Sequence, residues 1–440
     1  MKAAETARSW AGPPSGRGVT LRFVALTALS LFVFSLPYEN GVTIPGVGSL
    51  ARIAGFLAVG VVVLTLVERG QVRLRPWSVF LSITAIYVLW NLASHFWSVE
   101  PAATITRAAT LVQLAAMVWM VHQIGSDERR RDILAQAFVL GAYASIGVAI
   151  VVFVTGSQTW SRDVGGLNPN WFAIGCSFAV PVAWGLALRS RSAVTLYVNA
   201  LYPAFAVFAV VLSASRGGFV TLLIALTVIP LTLGRLGLAR QLLVFVLVFT
   251  GASATFLAAP QLFTGLEANI ERLQSTADEI DGGTLTGRTR IWDAGFDAFF
   301  ASPIVGHGYA TFRHVVEPSL GRSRSAHNAF LSVAVGSGGV GLALFVTLIG
   351  VVAAGVIAVP ARRLEFLVII ATLIVGMLPA NLENNQSVWF LLGWLAAARP
   401  LLIVPHRVML PRSHTEPRIV DRPAVAKAMG WTDADARTNG

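Results

Sequence analysis

The run AFLSVAVGSGGVGLALFVTLIGVVAAGVI at residues 329–357 contains no charged side chain. About 20 consecutive apolar residues are enough for an α-helix to cross the hydrocarbon core of a bilayer, so this run predicts a transmembrane helix. Similar runs recur at residues 21–37, 48–67, 77–97, 103–122, 133–155, 168–187, 193–212, 217–234, 239–259, 364–381 and 386–404. The pattern predicts an all-α polytopic membrane protein with about 12 transmembrane helices.

The composition of the chain agrees with this fold class and excludes several others. Hydrophobic residues make up 55% of the 440 residues and charged residues 12%, whereas soluble domains carry about 25% charged residues. Cys176 is the only cysteine, which excludes a disulfide scaffold. The net charge of +11 comes from arginines that fall mostly between the apolar runs. They form no basic stripe on a soluble face, so nucleic-acid binding is not predicted.

The distribution of Lys and Arg predicts the orientation of the helices. With the N-terminus inside, 23 of the 33 basic residues fall in inner segments, as the positive-inside rule requires. Both termini are then cytoplasmic. The predicted organisation is an N-terminal cytoplasmic tail (1–20), transmembrane helices 1–9 (21–259), an outer loop (260–328), transmembrane helices 10–12 (329–404) and a disordered cytoplasmic tail (405–440).

The outer loop has a pattern of its own. Trp292, Phe296 and Phe299 recur at helical spacing, while Asp293 and Asp297 fall on another face. This spacing predicts a short amphipathic helix lying on the membrane surface and ending before Ser302-Pro303.

Several arginines lie where the topology does not need them. Arg52, Arg107, Arg162 and Arg216 fall at outer helix ends or in short outer loops. One interpretation is that each side chain reaches the lipid head groups independently. The other is that the bundle gathers them near Arg288 and Arg290 of the outer loop, because guanidinium groups bind phosphate oxygens with paired hydrogen bonds.

His327, in the stretch SAHN at 325–328, is the main candidate for a catalytic base. It marks the point where the outer loop re-enters the membrane. Nearby arginines would disfavour its protonated form and leave a neutral imidazole that can accept a proton. The alternative is a structural histidine. His307 and His314 are weaker candidates.

Two further features have double interpretations. Gly217-Gly218 is either a close-packing point between helices or a place where phosphate approaches the backbone. The outer acids Glu39, Glu100, Asp163 and Glu383 occur singly rather than in a cluster, so the sequence predicts no metal site.

A set of short motifs resembles the O-antigen ligase and polymerase superfamily of bacterial envelope glycosyltransferases. The motifs are NPNWFA at 168–173, SRGGF at 215–219, GRTRIW at 287–292, SPIVGHGYATF at 302–312, and AHNAFL at 326–331 followed by GSGGVGLALF. His307 departs from the apolar residue that the resemblance leads us to expect between the two glycines. The order of the motifs and their positions around the outer loop make the match more specific than any one of them.

The resemblance implies a fold similar to GT-C membrane glycosyltransferases in the bacterial inner membrane, with the outer loop in the periplasm. It implies a metal-independent, inverting enzyme without a cofactor, which transfers a glycan from undecaprenyl diphosphate to an acceptor glycan or glycolipid. Arg216 and Arg288 would bind the diphosphate and His327 would activate the acceptor hydroxyl. Secondary candidates for binding are Arg52, Arg107, Arg162, Arg290 and Asn328.

Three functions stay open at this stage. A ligase would use lipid A-core as its acceptor, whereas a polymerase of O-antigen or exopolysaccharide would join carrier-linked repeat units. A 12-span transporter is the alternative from another class. Against it, the link after the sixth span, at about residues 189–192, is short, whereas many transporters join their two halves there by a long connection.

Overall fold

The structure is a computed structural model that describes residues 16–38, 43–44, 48–67, 75–125, 127–154, 168–235, 237–239, 241–242 and 288–398. These residues all belong to one unit, Met1–Ile403, and none of them to a second unit, Val404–Gly440. The described part is helical except for a small antiparallel hairpin of β1 (Thr43–Ile44) and β2 (Gly48–Ser49).

The described α-helices are numbered in chain order. They are α1 (Gly16–Ser35), α2 (Leu50–Val67), α3 (Val79–Ala93), α4 (Pro101–Ile124), α5 (Glu128–Val154), α6 (Pro169–Arg189), α7 (Ala193–Ser213), α8 (Arg216–Leu226), α9 (Val228–Thr232), α10 (Arg288–Ala301), α11 (Phe312–Leu320), α12 (Ala329–Ile357), α13 (Arg363–Met377) and α14 (Gln386–Ala398). Within the described ranges, seven helical segments are long and apolar enough to cross a membrane. The all-helical, multi-pass fold is therefore confirmed.

Most of the predicted transmembrane runs coincide with a described helix. The exception is 239–259, of which only residues 239, 241 and 242 are described, so the count of about 12 spans stays a prediction. α1 begins at Gly16, inside the segment predicted as the N-terminal tail. The run 217–234 is divided into α8 and α9 because Pro230 has no N–H to donate to the carbonyl of Leu226, where α8 ends.

Charged side chains join the helices at the end of the bundle that holds the ends of α4 and α6. Arg189 donates to both carboxylate oxygens of the buried Glu365, at 2.8 and 2.7 Å, and also pairs with Asp132 at 3.3 Å. Arg362 pairs with Glu128 and Asp132. We call this end of the bundle the ion-paired end. The arginines Arg189 and Arg362 belong to segments that were predicted to be cytoplasmic.

The longest helix, α12, is broken near its start. Gly338 has φ 68° and ψ −173°, outside the helical region. The break removes two helical hydrogen bonds, so the N–H groups of Gly339 and Val340 and the carbonyls of Val335 and Gly336 need other partners. Non-helical backbone is tolerated in a membrane protein only where such groups are satisfied inside the protein.

The chain between α10 and α11 supplies all four partners. Gly339 and Val340 donate to the carbonyls of Pro303 and Ile304, at 2.7 and 3.3 Å. In return, His307 and Gly308 donate to the carbonyls of Val335 and Gly336, at 3.0 and 2.9 Å. We call this set of four hydrogen bonds the latch. It fixes the described part of the predicted outer loop to the broken helix.

Glycines allow the two segments to approach so closely. Gly306 has φ 70° and Gly308 φ 103°, a region that favours glycine. A Cβ atom on Gly306 would collide with the backbone of Gly336 and Gly338, and one on Gly308 would collide with Ser98. His307, between them, donates from Nε2 to the carbonyl of Ala298 in α10 at 2.8 Å. The unexpected histidine therefore ties the turn to α10.

Tyr309 then anchors the same segment in the core. Its side chain is buried and its hydroxyl donates to Asn384. Its backbone N–H binds the hydroxyl of Ser94 at 3.0 Å, and its carbonyl accepts from Thr104 at 3.1 Å. The ring packs edge-to-face against Tyr87, with centroids 6.5 Å apart. The latch and Tyr309 together join the loop to α3, α4, α12 and the segment before α14.

The predicted amphipathic helix is present as α10 and ends before Ser302. Part of its apolar face packs against the protein itself. Trp292 and Phe299 pack into a small core with α11 and the start of α12, and Trp292 donates to the carbonyl of Ala326 at 2.9 Å. Phe296 is half exposed. Two of the three aromatic side chains therefore hold α10 against the protein.

We predict that Gly338→Ala destabilises the protein. The new Cβ would collide with the carbonyl of Ile304 at a residue with φ 68°, and a non-glycine residue in a sparsely populated backbone region costs about 1–3 kcal/mol. The measurement is the thermal midpoint of the detergent-purified protein. The matched control is Gly350→Ala in the same helix, where a Cβ meets nothing within 4 Å. An equal midpoint for both variants would contradict the latch.

Candidate active site

The first part of the site is the start of α8, which carries Arg216 as its first residue. Ser215 caps this helix, because its hydroxyl oxygen accepts from the N–H of Gly218 at 3.0 Å. The same hydroxyl donates to Asn170 at 2.7 Å, in the first turn of α6. The motifs SRGGF and NPNWFA are therefore joined by a direct hydrogen bond. This bond fixes the position of the backbone at Arg216, the first residue of α8.

The glycines after Arg216 are packing positions in this structure. A Cβ on Gly217 would come within 2.8 Å of Pro379, and one on Gly218 would collide with Ala173 of α6. These close approaches hold the start of α8 between α6 and the segment that links α13 to α14.

Arg288 lies within electrostatic range of Arg216 although 72 positions separate them in the sequence. Arg288 is the first residue described in α10 and is half-buried. Burial lowers the pKa of Arg288, and the positive charge of Arg216 lowers it further. The two guanidinium groups are thus within electrostatic range of each other, each at the start of a helix, where the helix dipole also favours an anion.

His327 follows α11 and has an unusual backbone conformation. Its φ is 49°, in the left-handed region, which is uncommon for a residue other than glycine. Its N–H donates to the side-chain oxygen of Asn381 at 2.7 Å. The next residue, Asn328, caps α12 by accepting from Phe330 and Leu331 at 3.0 and 3.1 Å. A strained residue held in this way is typical of functional sites.

The surroundings of His327 keep its imidazole neutral. Its pKa is lowered to about 4, chiefly by burial and then by the charges of Arg288, Arg313 and Arg324. Arg313 is held nearby because it donates to Ser325 at 3.1 and 2.7 Å. At neutral pH the ring is therefore uncharged and can accept a proton.

Glu383 is a site residue that the sequence interpretation did not select. It is 6% exposed, and its Oε1 accepts from Ser332 at 2.6 Å. Among the described residues, its Oε2 has no hydrogen-bond partner. Burial raises the pKa of Glu383, while hydrogen bonds from Ser332 and Asn381 and the charge of Arg107 oppose that rise. Asn381, which holds the backbone of His327, is two positions before Glu383, so the same short segment positions both residues.

The structure brings some of the predicted residues together and not others. Arg216, Arg288 and His327 form one group, and Arg107 is exposed on α4 within electrostatic range of Glu383. Arg52 is exposed on α2 and lines a separate cavity with Gln386. Arg290 is exposed on α10, and Arg162 lies outside the described residues. Asn328 serves as a helix cap.

Among the described residues there is no cluster of three or more His, Cys, Asp or Glu side chains that could hold a metal ion. The chemistry available from the described group is a pair of guanidinium groups for an anion, a neutral imidazole and a buried carboxyl group.

Residues 201–346 match the model of a protein family described as O-Antigen ligase. This match confirms the resemblance to the O-antigen ligase and polymerase superfamily. The matched region includes Arg216, Arg288, His327 and the break at Gly338. The family indicates a membrane enzyme of the glycosyltransferase type that acts on lipid-linked polysaccharide. The chain matches no curated protein.

We predict that the imidazole of His327 stays neutral down to about pH 5. NMR titration of ring-labelled histidines, with the signal assigned from a His327→Gln variant, should give a pKa near 4. Arg288→Gln should raise this pKa toward the ordinary value of about 6.5 without reaching it, because burial is the larger cause. Arg290→Gln, on the same helix, should leave it unchanged. A wild-type pKa of 6 or more would contradict the described surroundings.

Proposed function

We propose that the protein transfers a glycan from undecaprenyl diphosphate to a hydroxyl group of an acceptor on the periplasmic face of the bacterial inner membrane. The acceptor in this proposal is lipid A-core, as in an O-antigen ligase. The observation that carries the proposal is that Arg216 lies within electrostatic range of Arg288, and Arg288 within electrostatic range of His327, whose backbone is held by Asn381.

The two arginines suit a diphosphate. Guanidinium groups bind phosphate oxygens in a paired geometry, and two of them within electrostatic range of each other favour a ligand with two negative charges. A diphosphate bound here would also face the N-terminus of α8, whose dipole favours negative charge. Fixed positive groups of this kind stabilise charge that develops on a leaving group, so the proposed step needs no metal ion.

His327 would serve the acceptor. As the acceptor oxygen forms its bond to the anomeric carbon, the bond from that carbon to the diphosphate oxygen breaks. The hydroxyl proton passes to the neutral imidazole, and the diphosphate leaves as an anion held by Arg216 and Arg288. Attack from the side opposite the leaving group inverts the anomeric centre.

The positions of charged residues support the proposed orientation. The ion-paired end carries Arg189 and Arg362, and also Arg75, which donates to the carbonyl of His122 at 3.1 Å. The positive-inside rule assigns such an end to the cytoplasm. The site lies at the opposite end of the bundle, and we therefore assign it to the periplasm in this proposal. The predicted division at 1–20, 21–259, 260–328, 329–404 and 405–440, with about 12 spans, belongs to this proposal.

We predict that Arg288→Ala and His327→Ala each reduce glycan transfer by about 100-fold or more, the usual effect of losing one group that stabilises a transition state. Arg288→Lys should lose about tenfold, because an ammonium group cannot form paired hydrogen bonds. The assay is reconstitution in vesicles with undecaprenyl-diphosphate oligosaccharide and lipid A-core.

The matched control is Arg322→Ala, an exposed arginine of the same outer loop, which should keep normal transfer. Circular dichroism and equal insertion would show that each variant folds. Normal product from the Arg288 or His327 variant would remove the proposed role. A longer carrier-linked chain in place of a lipid A-core conjugate would identify a polymerase, and transport of the carrier without a new bond would identify a transporter.

The pH dependence of transfer provides a separate prediction. Because the pKa of His327 is lowered to about 4, the base is already available at neutral pH and is lost only on strong acidification. We expect kcat/KM to stay level from about pH 8 to about pH 5 and to fall with a midpoint near 4. A midpoint between 6 and 7 would show that another group titrates.

A further inference from the structure

A second positively charged surface lies on the chain that leads from α11 to His327. It consists of Arg313 on α11 and Arg324 in the chain after this helix, and both side chains are exposed. We call these two residues the outer arginines. Among the described residues, neither forms an ion pair with an acidic side chain, and this includes Glu317, which lies one turn further along α11. Exposed positive charge without an acidic partner favours the binding of an anion.

A hydrogen bond and the short covalent connection to His327 fix the outer arginines near the proposed base. The guanidinium group of Arg313 donates from Nε and Nη2 to the hydroxyl of Ser325, at 3.1 and 2.7 Å. Ser325 directly follows Arg324 and lies two positions before His327. Two residues of extended chain span at most about 7 Å, so Ser325 cannot lie far from the base.

The segment that carries these residues is held by the rest of the outer loop. Trp292 donates to the carbonyl of Ala326 at 2.9 Å, and Ala326 is buried in the same small core as Phe312, the first residue of α11. The N–H of His327 is bound by Asn381. The outer arginines therefore keep their place relative to the imidazole, and their charges help to lower its pKa.

The chemistry of the outer arginines suits a phosphate group. Arg313 uses its Nε edge for Ser325, which leaves the N–H groups of Nη1 for a ligand. Guanidinium groups donate paired hydrogen bonds to phosphate oxygens. In the proposed function, Arg216 and Arg288 bind the donor and begin other helices, α8 and α10. The outer arginines belong instead to the segment of the base, which receives the proton of the acceptor.

We propose that the outer arginines bind a phosphate group of the acceptor glycan, so that the enzyme selects acceptors with phosphate near the reacting hydroxyl. The inference rests on the proposed function and adds to it the chemical class of the acceptor. Because both side chains are exposed, each contributes as a surface ion pair does. Their effect is on the binding of the acceptor, and the chemical step remains with His327 and the arginines that hold the diphosphate.

The test compares Arg313→Gln and Arg324→Gln with the matched control Arg322→Gln, an exposed arginine of the same chain segment. With lipid A-core as acceptor in the vesicle assay, the first two variants should each raise the acceptor KM by about fivefold, the effect of one exposed ion pair. With lipid A-core whose phosphate groups have been removed by a phosphatase, they should match the wild type. The donor KM should not change, and Arg322→Gln should behave as the wild type throughout.

The assay is run at pH 8, where the imidazole of His327 is neutral in the wild type and stays neutral in each variant. A change in KM at this pH therefore comes from the binding of the acceptor and not from titration of the base. Arg313→Lys, which keeps the charge, should lie closer to the wild type than Arg313→Gln. Added salt should raise the acceptor KM of the wild type more than that of the double Gln variant, because salt screens exposed charges.

A binding measurement separates this inference from the proposed function. Microscale thermophoresis with phosphorylated core oligosaccharide, without donor, should show binding that weakens in Arg313→Gln and Arg324→Gln. An equal wild-type KM for both forms of the acceptor, or an equal loss with both, would overturn the inference. A rise in the donor KM would overturn it as well. Phosphate-dependent binding by the outer arginines without any transfer would refute the proposed function and leave the phosphate site standing.

Discussion

The arrangement of the site depends on the requirement that buried backbone groups find hydrogen-bond partners. The break at Gly338 frees two N–H groups and two carbonyls in α12, and the latch satisfies all four. Tyr309 fixes the same segment to α3, α4 and the chain before α14. A loop that would otherwise be free at a membrane surface is thereby positioned, and with it α10, α11 and His327.

Electrostatics then gives the site its chemical character. Arg216 and Arg288 are held close together in spite of their like charge, and the same positive field, with burial, keeps His327 neutral. The same positive charges therefore favour the binding of an anion and keep the imidazole of His327 unprotonated. The buried Glu383 and Asn381 continue the polar group toward α4 and α14. Residues with shifted pKa values, here Arg288, His327 and Glu383, are typically clustered at functional sites.

The sequence predicted the helical runs because about 20 apolar residues between charges have few alternative structures. It also pointed to Arg216, Arg288 and His327, through their places around the outer loop and through the motifs that resemble the superfamily, and their roles stay a prediction. It could not predict the latch, because those hydrogen bonds come from backbone groups and only the glycines at 306, 308 and 338 hint at them. Nothing in the sequence distinguishes Glu383, because it is a single acid without acidic neighbours. The cavity lined by Arg52 was not predicted because its lining combines α1, α2 and α4 with the start of α14, far along the chain.

The latch also has a consequence for which side chains of the outer loop are free to vary. Main-chain groups alone make its four hydrogen bonds, so the side chains of Ile304, Val305 and Val335 are not needed for its register. Ile304 and Val305 are exposed. The outward side chains of Ile304 and Val305 can therefore be replaced without loss of the four hydrogen bonds that fix this turn to the broken helix.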